Sequence, residues 1–259
     1  MTFIGIIPAR YASSRFPGKP LALIGGISMI QRVYQQAQKA LDTVVVATDD
    51  ERIFEAVRAF DGNVVMTSPD HRSGTDRCWE AYTIWNKEQK AKAKDFQPAD
   101  IVINIQGDEP FIQPEQIEAI KACFPTEIAT LAKPFHAGDE DALQNPNNVK
   151  VVFSEVNGYA LYFSRSVIPY LRGIPQQDWL KAGNRFYHHL GMYAYRADIL
   201  QEITRLEQSP MEKAESLEQL RWLENGYRIR VATTATQSIG IDTPEDLILA
   251  EEFLKSQEK

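Results

Sequence analysis

Short apolar runs and helically spaced segments alternate along the first 124 residues of the chain. Phe3 to Ile7 reads as a buried strand. Ile30, Val33, Ala37 and Leu41 recur at helical spacing within Met29 to Leu41. Thr43 to Thr48 is a β-branched run and predicts a second strand. Glu51 to Phe60 predicts a helix, with Gly62 placed to stop it. Val64 to Thr67, a helix over Ser73 to Trp85, a strand over Ile101 to Gln106 and a helix over Pro114 to Phe124 continue the series. This order predicts an α/β fold, a mostly parallel sheet flanked by helices on both faces. Sheets of that kind bind ligands outside the carboxyl ends of their strands. The residues following Ile7, Thr48, Thr67 and Gln106 are therefore the first to inspect.

The second half has a different character. Val149 to Phe153 and Tyr159 to Ser164 are strand-like runs separated by a segment ending in Asn157-Gly158, which reads as a β-hairpin. His189 to Tyr195 and Ile229 to Thr234 are further strands. A helix is expected over Glu212 to Glu224, closed by Asn225-Gly226. Thr243-Pro244-Glu245-Asp246 opens a last helix with an N-cap, a proline at its first position and early acids. Residues 87–99 read as a solvated helix end and loop. No internal repeat occurs.

The 28 basic residues face 35 acidic ones, a net charge of −7. That balance disfavours nucleic acid as a partner, because nucleic-acid binding uses a basic face. Cys78 and Cys123 have no metal-ligand spacing and read as reduced, inert thiols. The first ten residues lack the basic start and long apolar run of a signal peptide. No stretch of about 18 apolar residues occurs, so no membrane span is expected.

The strongest chemical signal is the loop after the first strand, Ile7-Pro8-Ala9-Arg10-Tyr11-Ala12-Ser13-Ser14-Arg15-Phe16-Pro17-Gly18-Lys19-Pro20-Leu21. Residues 8–20 hold three cations and no acid, in a chain that is acidic overall. A cationic loop at a strand's carboxyl end suits a polyanion. Ala9, Ala12, Ser13 and Gly18 are small enough for backbone N–H groups to approach phosphate oxygens. Arginine grips phosphate in a bidentate way and lysine supplies a compact charge. The loop matches neither Gly-x-x-x-x-Gly-Lys-[Ser/Thr] nor Gly-x-Gly-x-x-Gly, which removes support from ATPase and dehydrogenase readings.

This loop resembles the signature of the 3-deoxy-manno-octulosonate (Kdo) cytidylyltransferases, the CMP-Kdo synthetase family, within the GT-A-like nucleotidyltransferases. The resemblance extends over essentially the whole chain. It includes Asp70-His71-Arg72-Ser73-Gly74-Thr75-Asp76-Arg77, Asn104-Ile105-Gln106-Gly107-Asp108-Glu109-Pro110, Tyr159 to Arg165, His189 to Tyr193, Glu215 to Arg221 and Gly240 to Asp246. One departure is Gly26-Ile27-Ser28-Met29, where the family usually has Gly-Lys-Pro-Met; it changes surface charge beside the cationic loop.

The resemblance implies one nucleotidyltransferase domain over 1–259. Residues 1–135 would be its nucleotide-binding half, and 136–259 its sugar-acid-binding and dimerisation half. It implies catalytic roles for Arg10, Arg15, Lys19 and Asp108. CTP contacts are implied for Pro8, Ala9, Arg10, Ser13, Arg15, Lys19, Ser73, Gly74, Gln106 and Asp108. Arg165, His189, Tyr193, Glu218 and Gln219 would bind Kdo, with Arg72 a possible addition. Asp108 and Asp242 would hold Mg²⁺, which accepts one or two carboxylates and keeps several waters. On the residues alone, Ser73-Gly74-Thr75 can equally be an N-cap cluster, Asp242 can cap the last helix, and Arg77 is a weaker candidate. His188 is expected to be exposed on the face opposite His189. Asp49-Asp50-Glu51 reads as a helix start.

The implied reaction is CTP + Kdo → CMP-Kdo + diphosphate, in the cytoplasm, by a homodimer joined through the 154–158 hairpin. No nucleic-acid or membrane partner is expected. Three rivals stand beside it: a cytidylyltransferase for 8-amino-Kdo or a sialic acid, a GT-A glycosyltransferase, and a silent nucleotide-binding module.

Overall fold

Phe3–Ala9 forms strand β1, in which Ile4, Ile6 and Ile7 are all buried. The structure, a computed structural model, describes residues 1–12, 16–181, 186–236 and 240–257. The chain divides into two units, residues 1–117 with 238–259, and residues 118–237.

In the first unit, β2 (Leu23–Ile24) and β3 (Ile27–Ser28) form a small antiparallel pair of their own. The main sheet pairs β1 in parallel with β4 (Val44–Thr48) and with β6 (Ile101–Asn104). β4 in turn pairs in parallel with β5 (Val64–Met66), giving the order β6-β1-β4-β5. Every residue of β4 and of β6 is buried. Successive side chains point to opposite faces, so both faces of these strands are covered. Helices α1 (Met29–Gln38), α2 (Glu51–Arg58) and α3 (Gly74–Lys92) pack on this sheet. α4 (Pro114–Lys121) follows β6.

The second unit is a mixed sheet. β7 (Ile128–Pro134) runs antiparallel to β10 (Tyr187–Arg196) and parallel to β11 (Ile229–Thr233). β8 (Lys150–Phe153) and β9 (Ala160–Ser164) form the expected antiparallel hairpin, and β8 also meets β10 at Lys150 and His188. Helices α5 (Glu140–Gln144), α6 (Ala197–Ile203), α7 (Pro210–Glu215) and α8 (Glu218–Glu224) complete this unit. The chain then returns to the first unit with α9 (Pro244–Gln257). There Ile24, Met29, Phe111, Ile241 and Ala250 form one buried cluster, covered by Phe16, Leu247, Phe253 and Leu254. Among the described residues no helix is long and apolar enough to cross a membrane.

Several local expectations are corrected. α2 ends at Arg58, and Asp61 rather than Gly62 takes the left-handed conformation, at φ 58°. Aspartate tolerates that region because its short side chain bonds locally. The helix expected over 212–224 is two helices. Ser209 and Glu212 form a reciprocal capping box that starts α7 earlier, at Pro210. Ser216 then breaks the run at φ 52°. Arg165 stabilises the break, its Nε donating to the Glu215 carbonyl at 2.7 Å and its Nη2 to the Ser216 carbonyl at 3.4 Å. β7 escaped the sequence reading altogether.

His188 does lie opposite His189, but it is half-buried rather than exposed. Its ring lies tilted against Phe135 at 5.7 Å between ring centres, and it is paired across the strands with Lys133 and Lys150. Burial, then the charges of Lys133 and Lys150, lower its pKa to about 4. Burial, then His188, lower that of His189 to about 3. Both imidazoles start from 6.5 in the unfolded chain. Below that pH the unfolded chain binds more protons than the folded one, and stability falls. The contribution is complete above about pH 6.5 and is lost as pH drops toward 4 and then 3. The midpoint of urea unfolding should therefore be lower at pH 5 than at pH 7, with a shallower dependence in His188→Asn. Equal midpoints at the two pH values would contradict this.

Candidate active site

The carboxyl ends of β1 and β6 are neighbours because the two strands pair in parallel, and the loops leaving them meet. Gly107, just past β6, lies against the end of β1. A Cβ at that position would stand 2.8 Å from the Pro8 carbonyl oxygen, so only glycine permits the approach. The chain from there presents Asp108. Lys19 opens a short 3₁₀ turn, Lys19–Leu21, after the cationic loop. Its Nζ lies 2.8 Å from Asp108 Oδ2 and 3.3 Å from Asp242 Oδ1.

Asp242 is far from Asp108 in sequence, and two features bring them together. The Ile241 N–H donates to the Asp108 carbonyl at 2.9 Å, and the Ile241 side chain is fully buried in the cluster under α9. Asp246 Oδ2 then accepts from the N–H groups of Asp242 and Thr243, both at 2.9 Å. Burial raises the Asp246 pKa, but these donors, the Thr243 hydroxyl and the charge of Lys19 outweigh it and leave the carboxyl below its ordinary value. Asp242 thus stands at the entrance to α9, where Thr243 Oγ1 accepts from Asp246 N at 3.4 Å.

Two carboxylates repel, and the Lys19 ammonium between them offsets the repulsion. The lysine side chain is 14% exposed, against 34% for Asp108 and 49% for Asp242. The arrangement therefore offers hard oxygen donors that open to solvent beside a shielded cation. That donor set fits a small divalent ion whose remaining ligands are waters and phosphate oxygens. Among the described residues no group of three His, Cys, Asp or Glu side chains assembles; Asp108 and Asp242 are the pair of carboxylates that could hold such an ion.

Arg10 leaves the end of β1, and its Nη2 donates to the His71 carbonyl. This ties the cationic loop to the segment before α3. His71 Nε2 lies 2.5 Å from Glu80 Oε2, which also accepts from Ser68 N at 2.8 Å. Ser73 is the N-cap of α3, its hydroxyl accepting from Asp76 N at 3.1 Å. Gly74 begins the helix and is exposed, with ordinary room for a Cβ, so packing does not require glycine there. Pro8 and Ala9 are the last two residues of β1, and Gln106 lies on the loop leading to Asp108. Ser13 and Arg15 lie outside the described residues. Asn104 entered the sequence reading only as the first residue of the Asn104 to Pro110 motif and was given no role. It is 4% exposed beside Gly74, and its Oδ1 has no partner among the described residues. Its place at the end of β6, two residues before Gln106, was the available signal.

Arg77 is a strut. It is fully buried, its Nη1 donates to Thr67 Oγ1 at 2.6 Å, and its Nη2 pairs with Asp49 Oδ2 at 2.7 Å. It thereby clamps the ends of β4 and β5. Asp50, as expected, caps α2 by accepting from Arg52 N at 3.0 Å.

The five residues expected to meet a sugar acid all lie in the second unit. His189 and Tyr193 sit on β10 with ring centres 5.2 Å apart. Tyr193 also meets Trp222 edge-on at 5.0 Å. Its hydroxyl is buried with no partner among the described residues. Burial, then Tyr195 and Glu218, raise its pKa well above the ordinary value. Gln219 is 5% exposed, and its Nε2 also has no partner among the described residues. A buried polar group left unpaired costs roughly 1–3 kcal/mol, which a hydroxylated ligand would relieve. Arg165 donates to the carbonyls of Pro146, Glu215 and Ser216, and no carboxylate among the described residues forms an ion pair with it.

Replacing Arg77 with leucine should cost about 3 kcal/mol of stability, because it strands the Asp49 carboxylate at the end of the sheet. Urea unfolding should show the loss while CTP affinity of the folded protein stays unchanged. A specific loss of CTP affinity with unaltered stability would make Arg77 a ligand instead.

Comparison with known proteins places this geometry. The family model described as Cytidylyltransferase matches residues 4–229. A 3-deoxy-manno-octulosonate cytidylyltransferase of Phocaeicola vulgatus is 60% identical, covering 100% of this chain and 99% of its own length. One from Bacteroides thetaiotaomicron is 59% identical, covering 99% of this chain and 100% of its own length. Among solved structures, a CMP:2-keto-3-deoxy-manno-octonic acid synthetase complexed with CTP superposes with a TM-score of 0.84 at 41% identity, over 100% of both chains. Parallel strands, cationic loop and paired aspartates thus occur in a chain that belongs to the cytidylyltransferase family, among the 3-deoxy-manno-octulosonate cytidylyltransferases.

Proposed function

We infer that this chain transfers a cytidylyl group from CTP to Kdo, giving CMP-Kdo and diphosphate. The observation that carries the reading is the Lys19 ammonium held between Asp108 and Asp242 where the loops from β1 and β6 meet. The relatives named for this activity match over their full lengths and support it.

The anomeric 2-hydroxyl of Kdo attacks the α-phosphorus of CTP in line. A new P–O bond forms, the bond to the β-phosphate bridging oxygen breaks, diphosphate leaves, and the hydroxyl proton is released. No covalent protein intermediate is required, so the protein's part is positioning and charge stabilisation. Lys19, Arg10 and Arg15 are assigned to the triphosphate and the departing diphosphate. Asp108 and Asp242 are assigned to Mg²⁺, which when bound polarises the α-phosphate and lowers the pKa of the attacking hydroxyl. Pro8, Ala9, Ser13, Ser73, Gly74 and Gln106 line the nucleotide. Arg165 takes the sugar carboxylate, while His189, Tyr193, Glu218 and Gln219 take its hydroxyls. The orphaned buried atoms of Tyr193 and Gln219 support that assignment.

The β8–β9 hairpin carries Val156 at 96% and Leu161 at 63% exposure. We assign these apolar positions to a homodimer contact. The chemistry belongs to activation of a sugar acid for lipopolysaccharide synthesis, and its place is the cytoplasm.

Diphosphate release from CTP with Kdo, 8-amino-Kdo and a sialic acid compared as acceptors tests the function. Kdo should be the preferred acceptor, and release with none of the three would overturn the reading. In the same assay Lys19→Met should lower turnover by roughly 10²- to 10³-fold. Asp108→Asn should remain folded by circular dichroism yet lose the magnesium-dependent rate. Wild-type release by either variant would remove that residue from the mechanism.

A further inference from the structure

The buried end of His189 is specified by a chain of two hydrogen bonds. Its Nε2 lies 2.9 Å from Thr130 Oγ1, and the same Oγ1 lies 2.7 Å from the Met192 carbonyl oxygen. Both side chains are buried, Thr130 completely. A hydroxyl has a single proton, and a carbonyl oxygen can only accept. The Thr130 proton is therefore committed to Met192, and Thr130 can only accept from His189. Nε2 must carry the imidazole hydrogen. Nδ1 then bears a lone pair, and burial keeps it unprotonated near neutrality.

Local backbone creates this relay. β10 and β7 are in register at His189 with Ala132 and again at Tyr193 with Thr130, so the β10 side holds extra residues between them. Gly191 turns this irregular stretch at φ 73°, a conformation other residues rarely adopt. The bulge brings the Met192 carbonyl and the His189 ring onto one threonine hydroxyl.

We propose that Thr130 is a positioning residue that locks His189 in the Nε2–H form, so that Nδ1 accepts a hydrogen bond from a hydroxyl of the sugar acid. The proposal rests on the assignment of His189 to the sugar-acid site. It also divides the labour of recognition. A neutral lone pair repels a carboxylate, so His189 reads a hydroxyl, and the carboxylate goes to a cation such as Arg165. A site built to bond a hydroxyl strongly rejects the analogue that lacks it.

Two measurements on the full chain test this. ¹⁵N NMR of histidine-labelled protein without substrate reports which ring nitrogen of His189 is protonated, the signal being assigned by its loss in His189→Asn. Wild type and Thr130→Ser should both show Nε2–H, and Thr130→Val should lose that preference. In steady state, Thr130→Val should raise the KM for Kdo by about tenfold with kcat and the KM for CTP near wild type, as expected when binding common to ground and transition states is lost. Thr130→Ser should restore the KM. An Nδ1–H wild type, or a Thr130→Val protein with unchanged tautomer and unchanged KM for Kdo, would overturn the proposal. If Thr130→Val does not fold, the wild-type and Thr130→Ser spectra still decide the tautomer. The spectra need no substrate, so a failure of Kdo turnover in wild type would sink the functional reading and leave the relay separately judged.

Discussion

One ammonium group between two carboxylates organises the first unit. Without Lys19, Asp108 and Asp242 would face each other as like charges. Without the aspartates, Lys19 would be a largely shielded cation stripped of both its ion-pair partners. Each therefore depends on the others, and all three depend on the fold beneath them. Gly107 lets the β6 loop lie on Pro8, and the buried Ile241 docks the return of the chain so that its N–H meets the Asp108 carbonyl. The chemistry needs only fixed charges in a fixed place, since phosphoryl transfer asks little covalent work of a protein. A preformed ion cluster supplies such charges without reorganisation at the moment of reaction.

The second unit shows a complementary logic. Aromatic rings surround its buried polar groups, and the Tyr193 hydroxyl and Gln219 Nε2 have no hydrogen-bond partner among the described residues. The His189–Thr130–Met192 relay, by contrast, is fully satisfied on its inner side. Satisfaction at the rear of a side chain and an unmet valence at its front are what a pre-organised binding surface requires. The Arg165 guanidinium holds the break between α7 and α8, immediately before Glu218 and Gln219.

Much of this was legible in the sequence because it is local. The β-branched and apolar runs of β1, β4, β5 and β6 gave the parallel sheet, and the acid-free loop before Lys19 stood out against a net charge of −7. The hairpin was announced by Asn157-Gly158. What stayed hidden depends on contacts distant in sequence. The break at Ser216 follows from Arg165, some fifty residues earlier, and not from any breaker residue. β7 mixes alanines with larger apolar residues, and its burial comes from β10 and β11 on either side. Arg77 looked like part of a binding motif, yet its partner Asp49 lies at the end of another strand. The pairing of Asp108 with Asp242 rested on resemblance at the sequence level, since the residues alone left a helix-capping role for Asp242 open. Its proximity to Lys19 is a geometric fact of the structure.

The most direct test of the interdependence of Lys19, Asp108 and Asp242 is a double-mutant cycle on CTP binding, measured by calorimetry with Mg²⁺ for wild type, Lys19→Met, Asp242→Asn and the double variant. Groups in one ion network couple, whereas independent sites add. Binding should weaken far less in the double variant than the two single losses combined. Strict additivity, or single variants that bind CTP as tightly as wild type, would contradict the account.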